Sequence, residues 1–547
     1  MTPKEQPWQG PGWLQNAAIY QIYPQSFQDS NGDGIGDLSG LVARLDYIQS
    51  LGVDAIWLNP VFDSPFSDAG YDVRDYMKIA PRYGTNKDAQ RLFHEAHQRG
   101  LRVIFDLVAG HTSIEHPWFK ESAKHERNTY SDRYIWADST RQMPESFVVH
   151  HGERGGFFLK NFFPTQPALN YGCGNPDPSH PWEVPVNHPS AIATLTDMRN
   201  VMAFWMDLGC DGFRVDMASS LVKNDQGYEK TFALWNDVRN WLDANYPENV
   251  LIAEWGDPAA AIRAGFHIDF MLHFGVPGYP SLFFNEAGTF HQSACFFDTR
   301  GQGSFTEFLT QYQQQAEVTY GKGYIAIPSA NHDFQRPNCG PRNAEQLRVV
   351  WAFLLTWPGM PFIYYGDEIG MRFLENMPDK EGSLLDPHWG GGNRAGSRTP
   401  MQWDSSSANA GFSTAAPEDL YLPVDPSAGR PCVASQEEDA DSLLNFVRRL
   451  LAFRKTHPAL GNCSSGIQVT TGKGGYPVAY HREKSNEGFV VALNPSARPG
   501  IVEIDLPGAE GLVPVFADKA EASVANERAT LRMEGISFGI FEVQSRR

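Results

Sequence analysis

A chain of 547 residues is too long for one compact domain, and its net charge of −19, spread along the sequence and not gathered in runs, argues against nucleic acid as a partner. Hydrophobic residues make up 41%, enough to fill a large core, yet no run approaches the roughly 18 apolar residues of a membrane span. Cys173, Cys210, Cys295, Cys339, Cys432 and Cys463 show no CxxC spacing and read as reduced thiols; the opening Met1-Thr2-Pro3-Lys4-Glu5 lacks a secretory apolar stretch, so a cytoplasmic protein is expected.

From the amino terminus to about residue 460, short apolar runs alternate with helical patterns, the signature of repeated βα units around a parallel sheet. Strands are predicted over 18–23, 55–58, 101–106, 212–216, 250–254, 268–272, 324–330 and 361–365, with helices over 38–51, 87–99, 189–208, 227–245 and 344–357. Eight such units make a (β/α)8 TIM barrel, here interrupted: 1–111 and 186–460 supply the barrel, and 112–185, which lacks the rhythm, reads as an inserted domain B after the third strand. A second long excursion, 366–436, follows the eighth strand. Beyond it comes a helix over 441–456. Then short alternating strands over 466–471, 477–482, 489–494, 500–504 and 537–543 predict a carboxy-terminal antiparallel β-sandwich in the segment 461–547.

Three predicted strands end on or lead into acids: Asp216 closes Gly212-Phe213-Arg214-Val215-Asp216, Glu254 closes Val250-Leu251-Ile252-Ala253-Glu254, and Asp333 ends Ala330-Asn331-His332-Asp333. Acids at the carboxyl ends of barrel strands face the mouth and add nothing to packing. Three of them, with His111, Arg214 and His332 alongside, suit cleavage of a glycosidic bond by a carboxylate nucleophile and a carboxylic acid. Aromatic residues, 13% of the chain, offer flat faces for sugar rings, and a neutral substrate fits the acidic charge. Neither a nucleic acid nor a membrane is expected as partner, and the sequence assigns no oligomeric state.

The loop Asp29-Ser30-Asn31-Gly32-Asp33-Gly34-Ile35-Gly36-Asp37 sets oxygen side chains at alternate positions. With a backbone carbonyl at Ile35, Asp29, Asn31, Asp33 and Asp37 form a donor set for Ca2+, or for Mg2+ as the alternative hard cation, in a structural role.

Four blocks in this order, Asp106-Leu107-Val108-Ala109-Gly110-His111, Gly212 to Asp216, Ala253-Glu254 and Asn331-His332-Asp333, resemble the α-amylase superfamily, glycoside hydrolase family 13. Gly70-Tyr71-Asp72-Val73-Arg74-Asp75-Tyr76 and Ser397-Arg398-Thr399-Pro400-Met401-Gln402-Trp403-Asp404 resemble its oligo-1,6-glucosidase and α-glucosidase branch, whose metal loop is also similar to the segment from Asp29. The resemblance implies Asp216 as nucleophile, Glu254 as general acid/base, and Asp333 as the third carboxylate gripping sugar hydroxyls. His111 and His332 would donate to the same ring, and Tyr71 would stack on the non-reducing sugar. It implies further that Asp72 pairs with Arg398 to close the pocket behind one glucose, giving exo action, and that Arg336 lines the outer pocket.

Three positions depart from the pattern. Gly110 stands where the family carries Asn, so the second calcium of many α-amylases is not expected; Ala168 replaces an acid in Gln166-Pro167-Ala168-Leu169-Asn170; and Met217 matches neither linkage type, which leaves α-1,4 against α-1,6 preference open. The resulting expectation is a retaining α-glucosidase. A transglycosylase or isomerase of the same family, trehalose synthase-like or sucrose-converting, is the alternative. A non-enzymatic relative would need lost carboxylates and a membrane anchor.

Overall fold

The computed structural model describes residues 10–137, 146–287, 294–386, 391–462 and 467–545. The opening run from Met1, Cys463 and Gly466 lie outside the described residues. Eight parallel strands close a barrel: β1 (Ile19–Ile22), β2 (Ala55–Leu58), β3 (Arg102–Leu107), β4 (Gly212–Val215), β5 (Val250–Ala253), β6 (Ile268–Phe270), β7 (Tyr324–Pro328) and β8 (Met360–Tyr364). Each lies beside its sequence neighbour, and β1 closes the ring on β8 with Ile19 opposite Phe362. Strands covered on both sides need continuous apolar runs, and β1, β2, β4, β5, β7 and β8 are buried at every residue.

Helices Asn86–Gln98, Pro189–Asp207, Glu229–Asn245 and Ala344–Thr356 wrap the barrel close to their predicted bounds. The helix expected over 38–51 is two, Leu38–Ala43 and Leu45–Leu51, broken at Arg44. There the guanidinium turns to Gln28 Oε1 at 2.6 Å and lies 4.1 Å from the Trp403 ring centroid. Helix Thr306–Thr319, between β6 and β7, was not expected because its buried face mixes Phe308 and Tyr312 with Gln315 and Thr319, which blurs the apolar period.

Two small sheets stand at the mouth. Phe62–Asp63 pairs antiparallel with Asp75–Ile79 and frames the turn bearing Tyr71. Trp136–Ala137, Phe157–Leu159 and Phe147–Val149 form a three-stranded sheet in the segment between β3 and β4. The carboxy-terminal region is one six-stranded antiparallel sheet: β9 (Gln468–Thr471), β10 (Val478–Lys484), β11 (Glu487–Asn494), β12 (Gly500–Asp505), β13 (Ala509–Ala525) and β14 (Arg528–Ser545). β14 pairs with β12 through residues 528–533 and with β11 through 537–542, so the sheet doubles back on itself around a core that includes Val490, Ile504, Leu531 and Phe541. It is pinned to the barrel by Arg482, which donates to the carbonyls of Thr356 (2.8 Å) and Gly461 (2.7 Å), and by Tyr480 hydroxyl at 2.6 Å from Thr356 Oγ1.

The described cysteines Cys173, Cys210, Cys295, Cys339 and Cys432 are all free and buried, as expected of reduced thiols. Among the described residues no helix is long and apolar enough to cross a membrane.

Candidate active site

Registration of Ala253 against Val215 makes Asp216 and Glu254 leave the barrel side by side. Arg214, two residues before Asp216 on an extended strand, points the same way. Its Nη1 lies 3.0 Å from Asp216 Oδ1 and 2.8 Å from Asp106 Oδ1, while Nη2 lies 2.6 Å from Glu254 Oε1. One guanidinium therefore bridges three buried carboxyls, and Asp216 and Glu254 are near enough to hydrogen-bond each other. The second Glu254 oxygen accepts the Met217 N–H at 2.9 Å.

The environments separate the acids. Burial pushes Glu254 up to about 8, opposed by Arg214 and reinforced by the charges of Asp216 and Asp333. Burial raises Asp216 and Asp106 as well, against the pull of Arg214. Asp216 and Glu254 therefore titrate as a coupled pair, both pushed upward by burial and both opposed by the one Arg214 guanidinium. For Asp333, burial is outweighed by the charges of Arg394 and Arg398 and by the Nε2–H of His332, which hold the carboxyl well below the usual range. Arg394 Nη1 lies 2.7 Å and Arg398 Nη2 3.3 Å from Asp333 Oδ1.

Burial keeps both histidines neutral. His332 Nδ1 accepts from Asn59 Nδ2 (3.1 Å) and Gln21 Nε2 (3.2 Å), which puts its proton on Nε2, 2.8 Å from Tyr71 hydroxyl and 3.1 Å from Asp333 Oδ2. Tyr71 in turn donates to Asp106 Oδ2 at 3.0 Å and stacks on the His332 ring with centroids 5.4 Å apart. His111 Nε2 donates to the Tyr71 carbonyl at 3.0 Å. These groups line a cavity of about 460 Å³ that also takes in Asp216, Glu254 and Asp333, the size of a small-ligand site.

Two expected roles are corrected. Asp72 does not meet Arg398: its fully buried carboxylate ties the turn before it, accepting from Ser64 Oγ (3.0 Å), Ser67 N–H (2.8 Å) and Asp68 N–H (3.1 Å). That turn is tight at Gly70 (φ 102°), where a Cβ would stand 3.0 Å from Pro60 Cβ. Asp68 is the acid that reaches the mouth, with Oδ1 3.3 Å from Arg394 Nη2. Arg336 does not face the outer pocket either; it is buried on the carbonyls of Tyr365 (2.6 Å) and Ser397 (2.8 Å) and on Asp367 Oδ1 (2.8 Å), bracing the segment that leads into Arg398.

Residues that sequence reasoning missed are Asp68, Arg394, His273, Phe162, Phe274 and Leu385, all on the cavity wall. Asp68 shares one turn with Asp72, and only the path of that turn decides which acid reaches the cavity. Arg394 opens the short 3-10 turn Arg394–Ser397, and the rest sit on loops whose course no period reveals.

The loop from Asp29 to Asp37 uses its oxygens on its own backbone. Asp29 accepts from the N–H groups of Asn31 (3.0 Å), Gly32 (2.8 Å) and Gly34 (2.9 Å), Asp33 from Ile35 N–H (2.9 Å), and Asp37 from Ser30 N–H (2.8 Å) and Gly40 N–H (2.7 Å), the last capping helix Leu38–Ala43. The donor set is chemically that of a hard cation, yet among the described residues no three His, Cys, Asp or Glu side chains gather where they could hold a metal ion.

The family model for the alpha-amylase catalytic domain matches residues 21–462. Trehalose synthase/amylase TreS of Mycobacterium tuberculosis is 33% identical over 549 residues, covering 92% of this chain and 86% of its own. An oligo-1,6-glucosidase of Parageobacillus thermoglucosidasius is 30% identical, covering 90% of this chain and 92% of its own. An inactive double mutant of MutB, solved in complex with isomaltulose, superimposes with a TM-score of 0.79 at 25% identity over 98% of this chain and 100% of its own.

Proposed function

The chain belongs to the α-amylase family, glycoside hydrolase family 13, and from that premise we propose that it is a retaining, exo-acting α-glucosidase that releases glucose from the non-reducing ends of short oligosaccharides. The observation that carries this reading is the Arg214 bridge, which sets Asp216 and Glu254 within hydrogen-bond reach. Inverting enzymes keep their carboxyls about 6.5–9.5 Å apart so that a water fits between; contact of this kind supports a direct carboxylate attack instead.

Ionised Asp216 attacks the anomeric carbon while Glu254 gives its proton to the leaving glycosidic oxygen, so the C–O bond breaks as a glucosyl ester forms on Asp216. Glu254, now a base, takes a proton from a water that attacks the anomeric carbon, so the bond to Asp216 breaks and glucose leaves with its α configuration restored. Asp333, kept ionised by Arg394 and Arg398, binds sugar hydroxyls and favours the oxocarbenium-like state. The Asp68–Arg394 pair stands where a wall behind one glucose is needed, in the role first given to Asp72 and Arg398.

A second reading is favoured by the 33% identical trehalose synthase: transfer of the glucosyl group to a sugar hydroxyl instead of water. Met217, Phe162, Phe274 and Leu385 give the cavity apolar wall that would keep water from the ester. Incubation with maltose, isomaltose, trehalose and sucrose, with product anomers followed by NMR, separates the two. Glucose of α configuration as first product supports hydrolysis, and new disaccharide supports transfer. Rapid loss of starch viscosity would overturn exo action.

We further assign Ca2+ to the Asp29–Asp37 loop on the strength of its oxygen donors, and a cytoplasmic location on its free thiols.

A further inference from the structure

Lys223, in the loop between β4 and helix Glu229–Asn245, takes no part in the chemistry above. It is half-buried, and its ammonium donates to Asn161 Oδ1 at 2.8 Å and to the Ser220 carbonyl. Burial lowers its pKa to about 8. Asn161 follows the Phe157–Leu159 strand, and its amide nitrogen reaches His111 Nδ1 at 3.0 Å and Ser220 Oγ at 3.3 Å. That amide has room because residue 110 is glycine: a Cβ there would lie 3.0 Å from Asn161 Nδ2 and 3.2 Å from Ser220 Oγ.

An ammonium donates and cannot accept. It holds the carbonyl end of the Asn161 amide, so the amino end faces His111, and a flipped amide would set NH2 against NH3+. His111 Nδ1 must then accept, which leaves the proton on Nε2, the atom that donates to the Tyr71 carbonyl on the cavity side. Phe162, next in sequence to Asn161, lies on the cavity wall.

We propose that Lys223 is a positioning residue for glucoside binding, which through the Asn161 amide fixes the tautomer and orientation of His111 and the placement of Phe162. The inference rests on the α-glucoside reading above. Facing His111 are Lys223 and Asn161 on one side, Tyr71 on the other, and Asp216 within the same cavity.

Four variants of the full chain test it. Lys223→Met, which keeps the stem and loses the donor, is expected to raise KM for the best disaccharide about tenfold with kcat changed far less, and Lys223→Arg to recover most of that loss. Asn161→Asp turns an oxygen toward Nδ1, which must then carry a proton. It is expected to add a histidine titration near neutral pH, seen in 15N-histidine spectra and in kcat/KM, that Asn161→Ala lacks. A parent active on α-glucosides with Lys223→Met matching its KM would overturn the proposal, even if the melting temperature falls, since a purely structural lysine does that. If Lys223→Met does not fold, absence of the new titration in Asn161→Asp overturns it. A parent inactive on every α-glucoside would defeat the enzymatic reading instead.

Discussion

The carboxylates at the barrel mouth and those between Asp29 and Asp37 are the same residue types, yet they find different partners. At the mouth, Asp216 and Glu254 meet an arginine side chain and each other in a buried cavity, and burial moves their pKa values upward. In the loop, Asp29 and Asp37 meet backbone N–H groups of their own segment, and such contacts shape a turn. Acids placed by a rigid strand register confront one another across a cavity, whereas acids within one turn mostly confront the turn. The raised pKa values at the mouth follow from burial of the two acids side by side.

The largest break in this comparison comes from the nucleophile. Asp216→Asn keeps the packing and cannot form the ester, and turnover is expected to fall by on the order of 10⁴-fold or more. Substantial activity from a clean preparation would take the role from Asp216. Glu254→Gln should slow glycosylation of poor leaving groups by roughly 10²–10⁴-fold, with aryl glucosides affected less; equal losses on both would exclude general acid catalysis by this residue.

The same pair sets the pH profile. The proposed mechanism needs Asp216 ionised and Glu254 protonated, so kcat/KM should fall on acidification as Asp216 takes a proton and on alkalinisation as Glu254 loses its own through about 8. Both limbs stand above the ordinary carboxylate range, and a profile with its optimum near pH 5 would contradict the buried pair.

Asp68→Asn leaves Arg394 with a weaker partner at the back of the cavity, and a roughly ten- to hundredfold loss of kcat/KM on disaccharides is expected, the worth of one charged hydrogen bond. Asp72→Asn should instead act through stability of the turn, which a melting curve distinguishes. The smallest effect belongs to the loop. If Ca2+ resides there, EGTA should lower the melting temperature by about a few degrees and leave kcat/KM on disaccharides unchanged below the transition. No shift would return the loop to a metal-free turn.

The barrel was legible in the sequence because each strand is an apolar run buried on both faces, and strand-end acids are visible in such runs. Asp216, Glu254 and Asp333 were found that way and line one cavity. The partners of Asp72 were not legible, since Asp68 and Asp72 lie four residues apart on one turn and only the turn's path decides which points outward. Phe274 sits on a loop and Arg394 opens the single 3-10 turn Arg394–Ser397, and neither has a period that fixes direction. The long β13–β14 hairpin escaped because β13 alternates small, charged and β-branched residues over a half-exposed face.

Met217 adopts the left-handed conformation (φ 44°, ψ 46°) directly after the nucleophile, and its backbone N–H, not its side chain, holds Glu254. A non-glycine residue there costs about 1–2 kcal/mol, a strain that the barrel must support. The contact is made by the backbone, while Met217 also lines the cavity that takes in Asp216 and Glu254. A substitution at 217 that tolerates the left-handed backbone would therefore reshape the cavity wall and leave the hydrogen bond to Glu254 in place.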